Sequence, residues 1–247
     1  VVITGASRGL GKGIAETYLQ KGHKLGLCAR SIDVSFENSN SDNVLYRTVD
    51  VCNPTDLESF LQAVVAKFGS IDVWINNAGI LAPIKPIRNT NFEEFEKNIQ
   101  INLYGVFHGT KAFINHVRST SRSDEKDATL VNISSGASTN GYPGWGAYCS
   151  SKGGVDRLTE CAFLEEKDST GCNFRAYSIA PGVIDTDMQS MIRSTPKDDF
   201  PLLDKFLEIK ANDSFNTSPF VANCIEQLAL EEGPQKRPVA QRLPNEK

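Results

Sequence analysis

This chain of 247 residues contains only three histidines, His23, His108 and His116, and they lie far apart. It therefore lacks the clustered imidazoles from which most catalytic zinc sites are built. Its six cysteines (Cys28, Cys52, Cys149, Cys161, Cys172 and Cys224) include no C-x-x-C pair. That excludes a zinc knuckle and a thioredoxin-type redox pair, and it suits reduced thiols in a cytoplasmic protein. No metal site is expected. Long apolar runs are missing too, since none reaches the ~18 residues needed to span a bilayer, so no membrane partner is expected. No secretory leader pattern is visible, although an opening Val1 in place of Met gives that little weight. Positive charge is not in excess: 26 Lys and Arg stand against 30 Asp and Glu, a net charge of −4. A nucleic-acid partner would call for a clustered basic surface.

At 40% hydrophobic, the chain can bury a substantial core as one α/β domain over residues 1–247. Apolar runs alternate with helical patterns. Strands are predicted at Val1–Thr4, Lys24–Ala29, Val44–Val49, Ile71–Asn76, Ala128–Ser134 and Cys172–Ile179,. Helices are predicted at about Gly11–Lys21, from Pro54 to Phe68 with Asn53 as N-cap, at Phe92–Ile101, at Leu103–Val117 and at Tyr148–Glu166,. Such alternation implies a doubly wound parallel sheet covered on both faces. Ser119–Asp127 reads as a polar surface loop, and Met188 to Asn216 as an irregular stretch at the ligand-binding edge,. No strand is evident in Gly233–Lys247.

The turn after the first strand reads Thr4-Gly5-Ala6-Ser7-Arg8-Gly9-Leu10-Gly11. Its glycines permit positive φ, and its N–H groups, with the helix start behind them, suit a pyrophosphate. The spacing is not the general G-x-G-x-x-G. The same residues also match G-x-S-x-G, the nucleophile elbow of α/β hydrolases. That alternative requires earlier strands and a late histidine, and the last histidine here is His116,.

Tyr148-Cys149-Ser150-Ser151-Lys152 sets a phenol and an ammonium on one helical face,. A cation ~4 Å away, at an effective dielectric of about 20, is worth up to about 4 kcal/mol. The phenol pKa would then fall from ~10 toward neutrality, giving a general acid/base. Upstream, Ser134 and Ser135 end the fifth strand and can offer a hydroxyl to a carbonyl oxygen.

In these motifs the chain resembles the short-chain dehydrogenase/reductase family, whose domain is a Rossmann fold. Thr4–Gly11 matches TGxxxGxG, Asn76-Asn77-Ala78-Gly79 matches NNAG, and Tyr148 with Lys152 matches YxxxK. Pro181-Gly182 followed by Thr186 matches PGxxxT, Asn102 falls at the active-site Asn, and Ser135 falls at the catalytic Ser, with Ser134 as the other register. The resemblance implies hydride transfer between a nicotinamide and a carbonyl or alcohol. Tyr148 is then the proton donor and Ser135 polarises the carbonyl. Lys152 holds the ribose and lowers the Tyr148 pKa, and Asn102 helps relay protons. Cofactor contacts are implied at Gly5, Ser7, Arg8, Gly9, Leu10 and Gly11 in the turn. Further contacts are implied at Asn77, Ala78 and Gly79, and at Pro181, Gly182, Val183 and Thr186.

At the end of the second strand, Ala29 stands where an NAD enzyme would place an acid, and Arg30 follows,. Arg8 and Arg30 converging on one point would favour the 2′-phosphate of NADP, making NAD the less favoured cofactor. Asp33 is the nearest acid. Asp50 and Val51 are expected on the adenine side, though Asp50 also reads as a plain turn residue. Tyr142, Trp145, Met188 and Met191 are expected to line the substrate pocket, with 187–216 as a lid. The strings Trp145–Lys152 and Pro181–Gln189 look most like sepiapterin-reductase-like and benzil-reductase-like members. A small-molecule ketone or vicinal dicarbonyl is then implied. A 3-oxoacyl thioester reductase of the same family, or a non-catalytic NADP sensor, are the alternatives. The resemblance also implies a homodimer through the helices at Leu103–Val117 and Tyr148–Glu166. After Leu230 the seventh strand usual in the family is either very short or replaced by a divergent tail.

Overall fold

The structure is a computed structural model that describes residues 1–31, 36, 42–120, 127–169 and 171–246. Asp33 and most of the polar loop before β5 lie outside the described residues. The chain builds β1 (Val2–Thr4), α1 (Gly9–Gln20), β2 (Leu25–Ala29), β3 (Val44–Thr48), α2 (Pro54–Phe68) and β4 (Val73–Asn76). It continues with α3 (Phe92–Ile99), α4 (Gly105–Ser119), β5 (Ala128–Ile133), α5 (Gly146–Glu166) and β6 (Phe174–Ala180). It ends with α6 (Asp187–Arg193), α7 (Leu203–Ala211), α8 (Ser218–Ala229) and β7 (Ala240–Arg242).

The strands form one parallel sheet in the order β3-β2-β1-β4-β5-β6-β7. Successive side chains leave opposite faces of a strand, so neighbouring residues feed different layers. Ile3, Ile75 and Val131 pack with Ile14, Tyr18 and Val221 of α1 and α8. Val2, Trp74 and Leu130 pack on the other face with Leu57, Phe60 and Phe113 of α2 and α4. Strands buried on both faces need continuous apolar runs, which is why they were legible in the sequence. α2 begins where its cap predicts: Asn53 accepts from Thr55 N at 3.0 Å and Pro54 occupies the first turn.

Two local expectations are corrected, one helix is added, and the alternative of a very short seventh strand is the one found. The two helices predicted around residue 102 are one rod, joined by a π turn at Gln100–Tyr104. The stretch read as irregular holds two short helices, α6 and α7. Helix α8, entered through the Thr217 N-cap and Pro219, was not predicted. The seventh strand exists as three residues, with Ser178 to Ala180 of β6 paired to Ala240 to Arg242. The chain leading to β7 is secured by buried Arg175. Its guanidinium bonds Asp127 at 2.6 Å, the Gly233 carbonyl at 2.9 Å and the Glu231 carbonyl.

Winding reverses between β1 and β4, so the turns leaving these two strands flank a crevice at the carboxyl edge of the sheet. A third apolar cluster covers that edge, formed by Leu81, Trp145, Tyr148, Ile192, Phe200 and Phe206.

Candidate active site

The turns after β1 and β4 are stitched together by Thr4 and Asn77. Thr4 Oγ1 accepts from Asn77 N at 3.0 Å and Ala78 N at 3.1 Å. Asn77 Nδ2 donates back to the Thr4 and Gly5 carbonyls at 3.0 and 3.2 Å. Such contact leaves no room for side chains: a Cβ on Gly5, at φ +67°, would stand 2.7 Å from Ala78 Cα, and one on Gly11 would stand 2.3 Å from Asn77 Nδ2. These two glycines serve the approach of the turns to each other. Gly9, at φ +55°, faces Thr186. The start of α1 has no side-chain cap and no acid in its first turn. Its N–H groups at Gly9, Leu10 and Gly11 therefore fit an anion such as a pyrophosphate.

Around the end of β2, Ser7 and Ser31 approach hydroxyl to hydroxyl at 3.3 Å. Buried Ala29 ends the strand and exposed Arg30 follows it. Arg8 points elsewhere, pairing with Asp187 of α6 at 3.1 Å. The expected convergence of both arginines is therefore replaced by a division: Arg8 toward α6, Arg30 beside the 50–52 turn. Burial and neighbouring Asp50 push the Cys52 thiol up to about 11, and the Arg30 charge partly offsets them. Asp50 accepts from Cys52 N at 3.0 Å, the geometry of a turn-forming Asp. Val51 is buried and its carbonyl contacts the His108 ring at 3.1 Å.

Ser135, Tyr148 and Lys152 meet where β5 and α5 reach the crevice. The phenol is buried beside Ser135, whose hydroxyl favours the ionised form against the effect of burial. Ser135 Oγ accepts from Ala137 N at 3.2 Å. Ser134 faces the interior and donates to Asp156 at 2.6 Å, so of the two registers only Ser135 joins Tyr148. Lys152 shares the helical face as predicted, but its ammonium donates to the Ile133 carbonyl at 2.7 Å and stands 5.7 Å from the Tyr148 ring centre. The expected lowering of the phenol is therefore overturned. Burial pushes Tyr148 up to about 12, with the Ser135 hydroxyl opposing the rise. Burial pulls Lys152 down to about 8, opposed by the Asp156 charge. A long side chain swings past the phenol to the nearest carbonyl, a choice helical spacing does not reveal.

Asn102 sits in the π turn, fully buried. Its Oδ1 accepts from Ile80 N at 2.8 Å, and its Nδ2 donates to the Ile80 carbonyl, Asn98 and Ser151 at 2.8, 3.0 and 3.1 Å. Asn98 and Ser151 close this network with each other at 2.9 Å. A Cβ on Gly79 would lie 3.2 Å from Asn102 Oδ1 and 3.7 Å from Lys152 Nζ, so this glycine keeps the crevice floor open. Sequence reasoning missed Asn98, Ser151 and Asp156; their signal is burial, which appears only in the fold.

On the far wall, Gly182, at φ +85°, and Val183 are held by Asn216, which donates to the Pro181 carbonyl at 2.8 Å and to the Val183 carbonyl, also at 2.8 Å. Above them Trp145 is sandwiched between Tyr142 and Phe200, with ring centres 4.9 and 5.0 Å away, and meets Tyr148 edge-on at 5.7 Å. Met188 packs against this cluster. Met191 does not: it is 45% exposed, because it lies on the outer face of α6, and it leaves the predicted pocket set. Among the described residues no group of three or more His, Cys, Asp or Glu could hold a metal, no disulfide joins the cysteines, and no helix is long and apolar enough to cross a membrane.

This doubly wound sheet, with Ser135, Tyr148 and Lys152 beside the glycine-rich turn, has the architecture of a dehydrogenase-class oxidoreductase. The chain belongs to the short chain dehydrogenase family, whose family model matches residues 1–197. It is 36% identical over 244 residues to the benzil reductase ((S)-benzoin forming) of Bacillus cereus, covering 95% of this chain and 96% of that protein. Among solved structures, the KRED1-Pglu enzyme superposes with a TM-score of 0.83 at 30% identity, covering 95% of both chains. ElxO with NADP bound superposes with a TM-score of 0.80 at 27% identity, covering 98% of this chain and 95% of that one.

Proposed function

We propose that this oxidoreductase is an NADPH-dependent carbonyl reductase that reduces a ketone or vicinal dicarbonyl, with Tyr148 as general acid. The observation that carries the reading is the buried Tyr148 phenol at the carboxyl edge, with Ser135 beside it and the Lys152 ammonium 5.7 Å from its ring centre, roofed by stacked aromatics. Likeness to a benzil reductase, whose named substrate is an aromatic vicinal diketone, supports the substrate class. When bound, the reduced nicotinamide would supply the hydride.

The phenol of Tyr148, kept neutral by burial, holds its proton at working pH and gives it to the substrate oxygen,. Ser135 donates to the same oxygen from a fixed direction, so little reorganisation accompanies the growth of charge there. Lys152 offers its ammonium to ribose hydroxyls. Asn102, whose side chain is committed to Ile80, Asn98 and Ser151, serves the proton relay by holding the π turn and the crevice floor in place. The uncapped start of α1 holds the pyrophosphate, and Val183 and Thr186 hold the carboxamide. Ser7 and Arg30 flank the 2′-phosphate, with Asp50 and Val51 on the adenine side; the NADP bound to ElxO supports this choice. Residues 187–216 close over the substrate. Exposed Phe107 on α4 and Leu164 on α5 suit a homodimer through these two helices.

The test follows NADPH oxidation with vicinal diketones, simple ketones and 3-oxoacyl thioesters, with NADH in parallel. Turnover of thioesters but of no diketone would overturn the substrate class, and equal or faster turnover with NADH would overturn the cofactor choice.

A further inference from the structure

Lys152 has an acid one helical turn away. Asp156 lies at i+4 on α5, so the two side chains share a face, and they are only 4% and 6% exposed. The Asp156 carboxylate is clamped: one oxygen, Oδ1, accepts from Ser134 Oγ at 2.6 Å and from Ser178 Oγ at 2.5 Å. Short hydrogen bonds to an ionised oxygen are strong, and these two come from the end of β5 and the middle of β6. They seat the anion against the strand end whose Ile133 carbonyl receives the Lys152 ammonium. Burial drives that ammonium toward its neutral form, and the field of Asp156 opposes it.

We propose that Asp156 is a positioning residue for the reaction: its buried carboxylate, clamped by Ser134 and Ser178, keeps Lys152 charged and aimed at the carboxyl edge of β5. The proposal rests on the reading of Lys152 given above. On α5 itself the titratable groups facing Lys152 are the Tyr148 phenol and Asp156. From β5 the Ile133 carbonyl accepts the ammonium, and in the turn after β4 a Cβ on Gly79 would lie 3.7 Å from Nζ. The Arg242 guanidinium of β7 approaches Gly136. Without the charge on Asp156, only the Ile133 carbonyl bond is left to oppose the desolvation of the ammonium,.

A clamp that merely joined α5 to β5 and β6 would work equally well with an amide at position 156. Charge and clamp can therefore be separated. Asp156→Asn keeps the acceptor oxygen and removes the charge, whereas Ser178→Ala keeps the charge and loosens the clamp. The ligand-free protein, carrying lysine labelled at Cε and Nζ, is titrated by NMR, with the Lys152 signal assigned by its loss in Lys152→Arg. The Lys152 midpoint, about 8 in the parent, is expected to fall by about one pH unit in Asp156→Asn. It should stay in place in Ser178→Ala. The alkaline limb of kcat/KM for carbonyl reduction should move down by the same interval in Asp156→Asn. An unmoved midpoint in Asp156→Asn, or an equal fall in Ser178→Ala, overturns the proposal. Should Asp156→Asn fail to fold, Asp156→Glu decides, because a retained midpoint supports the charge and a fallen one refutes it. Carbonyl reduction that survives Lys152→Ala would instead refute the reading of the site, and the NMR midpoints judge Asp156 independently of that result.

Discussion

Arg8 and Asp187 form an exposed ion pair, 3.1 Å apart, that ties the glycine-rich turn to the first residue of α6. An exposed pair of this kind contributes at most about 1 kcal/mol. Its effect is on orientation, because it takes the Arg8 guanidinium away from the end of β2 and leaves that position to Arg30.

Discrimination between the two nicotinamide cofactors should therefore rest on Arg30. Arg30→Ala is expected to lower the NADPH-over-NADH ratio of kcat/KM by roughly 10- to 100-fold, the effect of one charged hydrogen-bond partner. Arg8→Ala should change it by no more than a few-fold. Parallel kinetics with both cofactors check this, and a larger loss in Arg8→Ala would reverse the assignment.

Tyr148→Phe removes the proton donor with little change of shape. Carbonyl reduction should fall by about 10²- to 10⁴-fold, while the circular dichroism spectrum and melting temperature stay close to the parent's. Full activity in this variant would remove Tyr148 from the chemistry.

The two directions of reaction should differ in pH dependence. The phenol keeps its proton up to about 12, so reduction does not lose its acid in the neutral range. It should decline as pH rises through about 8, where the buried Lys152 loses its charge. Alcohol oxidation needs the phenolate and should rise about tenfold per unit from pH 6, then flatten near 8. Initial rates in both directions, measured from pH 6 to 10, give the comparison; reduction that stays level to pH 10 would exclude the Lys152 contribution.

The Asn98–Asn102–Ser151 network should matter to stability. Asn98→Ala strands the carbonyls of Leu81 and Ala82, while the Ser151 hydroxyl keeps its bonds to the Tyr148 carbonyl and to Asn102. Each stranded group costs about 1–3 kcal/mol. Urea unfolding should show a lower midpoint with an unchanged slope, and an unaltered midpoint would mean that the network carries no stability.

Fold and site were legible to different depths. The strands were visible because a sheet covered on both faces needs uninterrupted apolar residues, as in Leu25–Ala29. Helix α2 was visible because Asn53-Pro54 is a local start signal. The π turn was hidden, since Gln100–Tyr104 uses residues that any α-helix accepts. Helices α6 and α7 are only seven and nine residues long, too short to show a periodic face on either side of Pro196 and Pro201. Motif spacing brought Ser135, Tyr148 and Lys152 together, but not the direction of the Lys152 side chain, which depends on a carbonyl nineteen residues upstream. The polar groups behind them escaped notice because a buried Asn98 or Asp156 looks, in sequence, like any solvated helical residue.

Asn216 is the hinge-pin of the far wall. It holds Pro181 and Val183 on one side, while on the other it accepts from Glu246 N at 2.7 Å and donates to the Pro244 carbonyl at 3.0 Å. Glu246 in turn covers the start of α8 through Thr217. Three residues near the chain's last described position are thus one side chain away from the wall of the crevice. Replacing Asn216 would therefore loosen the crevice wall and the segment 244–246 together.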